Sequence, residues 1–146
     1  MGEVRGLTGR VYLDANIFIY ALEGYSEFQS RLTTLFEAID RHDLEAVTSE
    51  LTLAEVLVKP FRDGNVKWQK TYQQILQHSS AVNVIPVSRK ILVDAAQIRA
   101  RHSIKLPDAI HVTTAQQLQC ENFLTNDSHF KAVSDLPVVL LSEWQP

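Results

Sequence analysis

Four acidic side chains stand where a short apolar run gives way to a turn or a helix start, namely Asp14, Glu55, Asp108 and Asp127. Two of them close β-like runs, so in a parallel sheet they would emerge at the carboxyl edge, where open α/β folds bind ligands. Carboxylates about 4 Å apart repel by roughly 4 kcal/mol per pair at an effective dielectric near 20. Hard oxygen ligands suit Mg²⁺ or Mn²⁺. The four acids therefore predict a divalent-metal site.

Each acid also has a purely structural interpretation. Asp14, or Asn16 beside it, could cap the helix that follows. Glu55 lies three residues after a threonine, which is the spacing of a capping box. Asp108 follows a proline and would favour a helix amino end, and Asp127 could be a turn residue. The metal interpretation depends on all four occurring together, and Glu55, set among apolar neighbours, needs a partner or a cation.

The elements that must position these acids alternate between two hydrophobic periods. Five β-like runs occur at 11–13, 44–48, 82–87, 122–125 and 138–141. Helical spacing of apolar residues occurs between them, at 28–39, 68–76 and 91–98. This alternation predicts an α/β fold with a parallel sheet covered on both faces by right-handed crossovers, which is a three-layer α/β/α architecture. We expect one domain over residues 1–146.

Several local features refine the helices. Ser88 is a good cap for the helix that follows it. Pro60 is expected to end a short helix over 52–58. The segments around Phe28 and around Trp68 and Tyr72 carry more apolar bulk than one helix stripe needs, which predicts either core packing or a subunit interface.

The composition limits the function classes. The formal net charge is −3, so the molecule as a whole does not attract a polyanion. Any polyanion must be held locally, and the basic residues between Arg99 and Lys105 could face phosphates on the way to Asp108, or could complement a helix carboxyl end. The chain shows no signal peptide and no membrane-spanning run, so we expect a cytoplasmic protein with no membrane partner. The single Cys120 excludes an internal disulfide and is expected to pack.

Four segments containing the acids resemble, in order, the motifs of PIN-domain ribonucleases. The segments are 11–20 (VYLDANIFIY), 48–56 (TSELTLAEV), 106–115 (LPDAIHVTTA) and 123–127 (FLTND). The first has an acid at a strand end and an asparagine two residues later, and the last is similar to the "T-N-D" element of the family. The resemblance covers nearly the whole chain, and the length is similar to that of the single-domain VapC-type toxins.

The resemblance implies more than the residues alone predict. It implies a five-stranded sheet of order 3-2-1-4-5 and endonucleolytic cleavage of RNA that depends on Mg²⁺ or Mn²⁺ and leaves 5′-phosphate and 3′-hydroxyl ends. It also implies a homodimer restrained by a small antitoxin protein whose tail blocks the acidic pocket. The motifs leave open whether this chain is a toxin or an RNA-processing relative.

We assign catalytic and metal-binding roles to Asp14, Glu55, Asp108 and Asp127. In this hypothesis Asp14 and Asp108 hold the metal, while Asp127 and Glu55 act directly or through water. Glu55 or Asp127 could also orient or deprotonate the attacking water. One metal ion or two remains open.

Three polar residues are predicted to support the acids. Asn16 would fix the Asp14 carboxylate or the first loop, Ser49 would bond a neighbouring ligand or a phosphate, and Thr125 would orient Asp127. His111 lies one helical turn after Asp108. We interpret it as a packed or hydrogen-bonded core residue and not as a metal ligand, because hard oxygen ligands dominate the site.

Two other functions compete with the nuclease. A PIN-like module without catalysis could serve only to hold RNA or a protein. A phosphoacceptor receiver domain shares the α/β class and an acidic pocket, but it requires an aspartate at the end of the third strand. Here that strand runs into Pro86 and Val87, which excludes the receiver domain.

Overall fold

The computed structural model describes residues 4–146. The strands are β1 (Gly9–Leu13), β2 (Leu44–Ser49), β3 (Val82–Ile85), β4 (Asn122–Thr125) and β5 (Val138–Leu140). The helices are α1 (Ala15–Glu23), α2 (Gln29–Asp40), α3 (Glu50–Arg62), α4 (Val66–His78), α5 (Arg89–Arg101) and α6 (Leu106–Gln117). Short 3₁₀ turns occupy Ser26–Phe28 and Ser128–Ala132.

The five strands form one parallel sheet in the order β3-β2-β1-β4-β5, which confirms the predicted topology. Leu13 at the end of β1 pairs with Leu124 near the end of β4. The residues that follow these two central strands therefore emerge side by side at the carboxyl edge of the sheet.

Each face of the sheet carries its own hydrophobic core, because successive strand residues point to opposite faces. Val11 and Leu13 of β1 pack on one face with residues of α1, α2, α3 and α4. Tyr12, between them, packs on the other face with residues of α5 and α6. All three side chains are fully buried. The three-layer prediction is therefore correct.

Pro60 does not end its helix where the sequence predicted. Helix α3 runs from Glu50 to Arg62 with the proline inside its last turn. A proline ring removes one backbone donor, but its own carbonyl remains usable and accepts the backbone N–H of Asn65 at 2.9 Å and the Nε2 of Gln69 at 3.2 Å. The ring is buried, so tertiary packing holds the last turn in place.

The third strand is shorter than predicted. It ends at Ile85 instead of Val87. The next residue is Pro86, which has no N–H to donate to a neighbouring strand, so the ladder stops before it.

The bulky apolar segments are part of the core. Phe28 is 5% exposed and Tyr72 is 1% exposed, and Trp68 packs against the same cluster. Burial also raises the pKa of the Cys120 thiol to about 12, as expected of a packed and unreactive cysteine. Within residues 4–146, no helix is both long enough and apolar enough to cross a bilayer.

Candidate metal and active site

Asp14 is the first residue after β1 and is nearly buried at 7% exposure. Its backbone N–H donates to the carbonyl of Leu124 at 3.0 Å, which continues the β1–β4 pairing by one residue. Its Oδ1 accepts the N–H of Ala15 at 2.8 Å, so the residue also caps α1. The capping interpretation and the position at the sheet edge are both correct for this acid.

Two polar side chains hold the second oxygen of Asp14. The hydroxyl of Thr125 donates to Oδ2 at 2.7 Å, and the Nδ2 of Asn16 donates to the same oxygen at 3.4 Å. The Thr125 Oγ1 in turn accepts the backbone N–H of Asp127 at 3.1 Å. Thr125 therefore orients Asp14 through its hydroxyl proton and the Asp127 backbone through its lone pair.

Burial raises the pKa of Asp14 above the ordinary aspartate value. The positive charge available at His111 and the hydrogen bonds from Thr125 and Ala15 act in the opposite direction. The carboxylate is thus a desolvated group that needs these donors in order to stay ionised.

Asp108 lies in the first turn of α6 and is half-buried. Within residues 4–146, no side-chain hydrogen bond reaches its carboxylate. Burial is the largest cause of its raised pKa, and the negative charges of Asp14 and Asp127 raise the pKa further. The mutual repulsion predicted for the acids is therefore present at this residue.

Asp127 is much more exposed than Asp14, with 39% of its side chain accessible. Its Oδ1 accepts the backbone N–H of His129 at 2.9 Å and lies 2.8 Å from the Nδ1 of the same residue. Asp127 therefore caps the 3₁₀ turn, as its turn interpretation predicted, and it also faces Asp108 closely enough to affect the Asp108 pKa.

The capping-box interpretation of Glu55 is wrong. Helix α3 begins at Glu50 and is capped by Ser49, whose Oγ accepts the N–H of Leu51 at 3.0 Å. Thr52 lies inside the helix, and its hydroxyl bonds that of Thr48 at 2.8 Å. Ser49 thus caps α3. Its hydrogen bond to a neighbouring ligand or a phosphate stays a prediction.

Glu55 instead projects from the middle of α3 and meets His111 of α6. Its Oε1 lies 2.6 Å from the Nε2 of His111, and the Nδ1 of the same ring lies 2.6 Å from the hydroxyl of Tyr12. The His111 Nε2 is also 3.8 Å from the Oδ1 of Asp14. The polar partner that Glu55 was predicted to need is therefore a histidine.

His111 is fully buried and hydrogen-bonded at both ring nitrogens, as its core interpretation predicted. Burial alone would lower its pKa. The hydrogen bond to Glu55 and the charges of Asp14, Glu55 and Asp108 outweigh burial, so the net effect is a raised pKa. His111 is thus a source of positive charge among the acids.

Sequence reasoning overlooked Tyr12. The residue stands between two apolar side chains in a buried strand, and only its polar hydroxyl distinguishes it from a core aromatic. A buried tyrosine hydroxyl normally has a hydrogen-bond partner, which is the one signal that could have indicated a role for it.

The carboxylates at this edge of the sheet suit a divalent cation by donor chemistry. Within residues 4–146, no three histidine, cysteine or acidic side chains lie close enough together to hold a metal ion as they stand. Mg²⁺ commonly takes only one or two protein carboxylates and completes its shell with water and phosphate oxygens. Two carboxylates, such as the predicted pair Asp14 and Asp108, would be enough protein ligands for this ion, and the metal-binding roles of the four acids stay a prediction.

A cavity of about 310 Å³ adjoins the acids. Two of the acids line it, together with basic, polar and apolar residues: Asp108, Asp127, Arg99, Lys105, His129, Ser103 and Ile104. Neither Arg99 nor Lys105 forms an ion pair with a carboxylate of residues 4–146. Both are exposed, so their charges are available to an anion that enters the cavity.

The chain matches a family model and several solved structures. The model of the PIN domain matches residues 11–136. A chain of a toxin-antitoxin complex from Klebsiella pneumoniae is 25% identical with a TM-score of 0.66, and the match covers 90% of this chain and 97% of that one. No curated protein matches the chain by sequence.

Two more distant structures share the fold. A chain of FitAcB from Neisseria gonorrhoeae is 20% identical with a TM-score of 0.69, covering 91% of this chain and 99% of that one. A chain of VapBC2 from Rickettsia felis, bound to a DNA fragment from their promoter, is 20% identical with a TM-score of 0.64, covering 90% and 98%. The family match spans most of the sequence and includes all four acidic motifs. The chain therefore belongs to the PIN-domain family.

Proposed function

We propose that this protein is a metal-dependent endoribonuclease and the toxin of a VapBC-type toxin-antitoxin pair, acting in the cytoplasm. One observation carries the proposal. Burial raises the pKa of Asp108, and the negative charges of the other three motif acids, Asp14, Asp127 and Glu55, raise it further, so the four acids come within electrostatic reach of one another. A partly buried carboxylate beside like charges, such as Asp108, destabilises a fold unless its charge is offset, and this supports a role in binding a cation.

Asp14 and Asp108 are the proposed holders of a Mg²⁺ or Mn²⁺ ion. When bound, such an ion lowers the pKa of a water molecule and stabilises negative charge on a phosphoryl oxygen. Thr125 and Asn16 keep the Asp14 carboxylate in place. Asp127, which is less buried, is available to orient a water molecule near the scissile bond.

The mixed charge of the adjoining cavity supports a polyanionic substrate. Arg99 and Lys105 are proposed to hold a phosphate next to the scissile one, which is the phosphate-facing role considered for this basic strip. A net charge of −3 makes this local attraction necessary, because the whole molecule repels RNA. Recognition of a particular RNA would come from its shape and not from a residue code.

A small antitoxin and a homodimer belong to the same proposal. One of the similar structures is a toxin-antitoxin complex, and another is VapBC2 bound to promoter DNA, which supports a VapBC-type pair. On this chain, Val58, Phe61 and Val66 expose large apolar side chains where α3 meets α4, which gives a partner protein a surface to cover. Co-purification with the product of an adjacent short reading frame, followed by a mass measurement in solution, tests both partners.

Cleavage of single-stranded RNA in the presence of Mn²⁺, and again with EDTA, tests the activity. We expect cleavage that EDTA abolishes and that Asp108→Asn reduces at least about 100-fold, because one metal-holding carboxylate is lost. Asp94→Asn is the matched control, because Asp94 is a partly exposed acid on α5 that pairs with Lys90 outside the site.

The same assay separates the nuclease from a non-catalytic PIN-like module. Among residues 4–146, no three potential ligands lie together, and this is the observation that favours the module. RNA binding that needs no metal and leads to no cleavage would support the module and contradict the nuclease.

A further inference from the structure

Glu55 lies at the end of a chain of two hydrogen bonds. Its carboxylate is hydrogen-bonded to His111, and His111 is hydrogen-bonded to Tyr12. The three side chains come from three elements: Tyr12 from β1, His111 from α6 and Glu55 from α3. Both links are short, at 2.6 Å each. Tyr12 and His111 are fully buried, while the Glu55 side chain is 34% exposed. The chain of contacts thus leads from the core to the edge of the site.

We propose that Tyr12 and His111 are positioning residues, which hold one oxygen of Glu55 so that the other is presented to the acidic site. Nε2–H of His111 donates to Oε1 of Glu55 whether the ring is neutral or protonated. The hydroxyl of Tyr12 donates to Nδ1 of the neutral ring, and Nδ1–H donates to the Tyr12 oxygen when the ring is an imidazolium. Oε2 has no hydrogen-bond partner within residues 4–146 and is left for a metal-bound or attacking water. The catalytic consequence rests on the proposed function, but the positioning itself does not.

The direction of the hydrogen bonds follows from the donors available. An ionised carboxylate only accepts, so Nε2 must carry the proton that lies between the ring and Glu55. A neutral imidazole has one N–H, so Nδ1 must then accept, and the atom beside it is the Tyr12 hydroxyl. The opposite tautomer would place the Nε2 lone pair 2.6 Å from a carboxylate oxygen, where two acceptors repel.

The protonation state of Tyr12 agrees with this arrangement. Burial raises its pKa well above the ordinary tyrosine value, and the charge of Asp14 raises it further. The phenol therefore keeps its proton and can donate it. If His111 becomes an imidazolium, Nε2 still carries a proton, so the contact with Glu55 persists in either state.

Packing holds the two donors in place. The Tyr12 ring stacks on Phe123 of β4 with centroids 4.9 Å apart and planes 8° apart. It meets the His111 ring edge-on at 5.8 Å. A hydrogen-bonded group acts on its partner in a defined direction only when its own rotamer is fixed, and burial among aromatic rings fixes both here.

Long-range ¹H–¹⁵N correlation spectra of the imidazole test the tautomer directly, at a pH high enough for the ring to be neutral. We expect Nε2 to carry the proton and Nδ1 to be a hydrogen-bonded acceptor. A spectrum with the proton on Nδ1 would overturn the proposal, whether or not the protein cleaves RNA.

Substitutions at His111 test the consequence for the site. His111→Leu removes both ring nitrogens, whereas His111→Gln keeps an N–H donor directed at Glu55. We expect His111→Leu to weaken Mn²⁺ binding, measured by calorimetry without RNA, by about 10- to 100-fold. His111→Gln should recover part of this affinity, and Tyr12→Phe should fall between wild type and His111→Leu. For cleavage, kcat should fall while KM for RNA changes little.

Thr114→Val is the matched control, because Thr114 is buried on the same helix and its hydroxyl donates only to the carbonyl of Ile110. It should leave Mn²⁺ affinity unchanged. Unaltered Mn²⁺ affinity in folded His111→Leu would contradict the proposal. If wild type binds Mn²⁺ but cleaves no RNA, the proposed nuclease activity fails while the spectra and the calorimetry still judge the positioning.

Discussion

The four acids differ in how their charge is held. Asp14 accepts hydrogen bonds at both oxygens, and Glu55 and Asp127 each have one oxygen engaged. Asp108 has neighbours of like charge and no side-chain donor within residues 4–146. Ionisation of Asp108 should therefore lower the stability of the metal-free protein.

Asp108→Asn is therefore expected to stabilise the metal-free protein at neutral pH. The folded-state pKa of Asp108 is raised above 3.8, so its contribution to stability is fully present below pH 3.8 and is lost as the pH rises through the raised value. Asparagine stays neutral throughout and avoids that loss. Because the group is half-exposed and screened, the gain should be below about 1 kcal/mol. Urea unfolding with EDTA at pH 7 and at pH 4 measures it, and the gain should shrink at the lower pH.

Asp94→Asn is a control in which the pKa of the replaced aspartate is shifted in the opposite direction, downwards. The hydrogen bond from Lys90 lowers the pKa of Asp94, so its contribution is present above pH 3.8 and is lost as the pH falls through the lowered value. Asp94→Asn should not increase the stability of the protein at pH 7.

An Asp108→Asn variant that is less stable than wild type without metal would contradict the prediction. It would show that the favourable interaction of Asp108 with the amino end of α6 outweighs the repulsion from the other acids.

At the scale of the element, the acids depend on where helices begin. Ser49 caps α3, which carries Glu55, and Ser88 caps α5, where the Ile91 N–H donates to the Ser88 hydroxyl at 3.2 Å. The predicted cap at Ser88 is confirmed. Both serines cap the start of a helix, but of these two helices only α3 carries one of the four acids, because α5 contains none of them.

Ser49→Ala and Ser88→Ala should each destabilise the protein by about 1 kcal/mol, because each leaves a backbone N–H at a helix start without its acceptor. Loosening the first turn of α3 also loosens the helix that aims Glu55. We therefore expect only Ser49→Ala to weaken Mn²⁺ binding, by a few-fold. Chemical denaturation and calorimetry measure the two effects separately. Equal Mn²⁺ affinity in both variants would limit Ser49 to a capping role.

At the scale of the whole molecule, the proposed function links metal binding to folding. The acids come from distant parts of the chain and lie together only in the native state. An ion that binds them stabilises that state by RT ln(1 + [L]/Kd), or about 2.7 kcal/mol when the free ion is at 100 times its Kd.

Mg²⁺ or Mn²⁺ should accordingly raise the melting temperature of wild type in a dose-dependent manner. The rise should be smaller in Asp108→Asn, because a charged ligand is missing, and unchanged in Asp94→Asn. Differential scanning calorimetry over a metal titration measures it, with added monovalent salt as a control for simple screening. A flat titration in wild type would argue against a metal site at this edge.

The sequence by itself determined the α/β class, the placement of all five strands and the residues that end β1 and β4. These follow from apolar periodicity, which is a local property. The order of the strands came from the likeness of four motifs to a family and not from periodicity. The prediction that Pro60 ends its helix was wrong because it rested on the lost backbone donor alone. The burial of the ring, which keeps the last turn of α3 helical, is not visible in local propensity.

Only the tertiary structure decided which side chains meet. Tyr12, Glu55 and His111 are 43 and 56 residues apart in succession, and nothing local indicates that they touch. The bridge from Thr125 to both Asp14 and the Asp127 backbone depends likewise on β1 and β4 lying side by side. A hydrogen bond requires two groups to meet within a few tenths of an ångström, and that distance is set by how the sheet and its two helical layers pack, not by the identity of either residue.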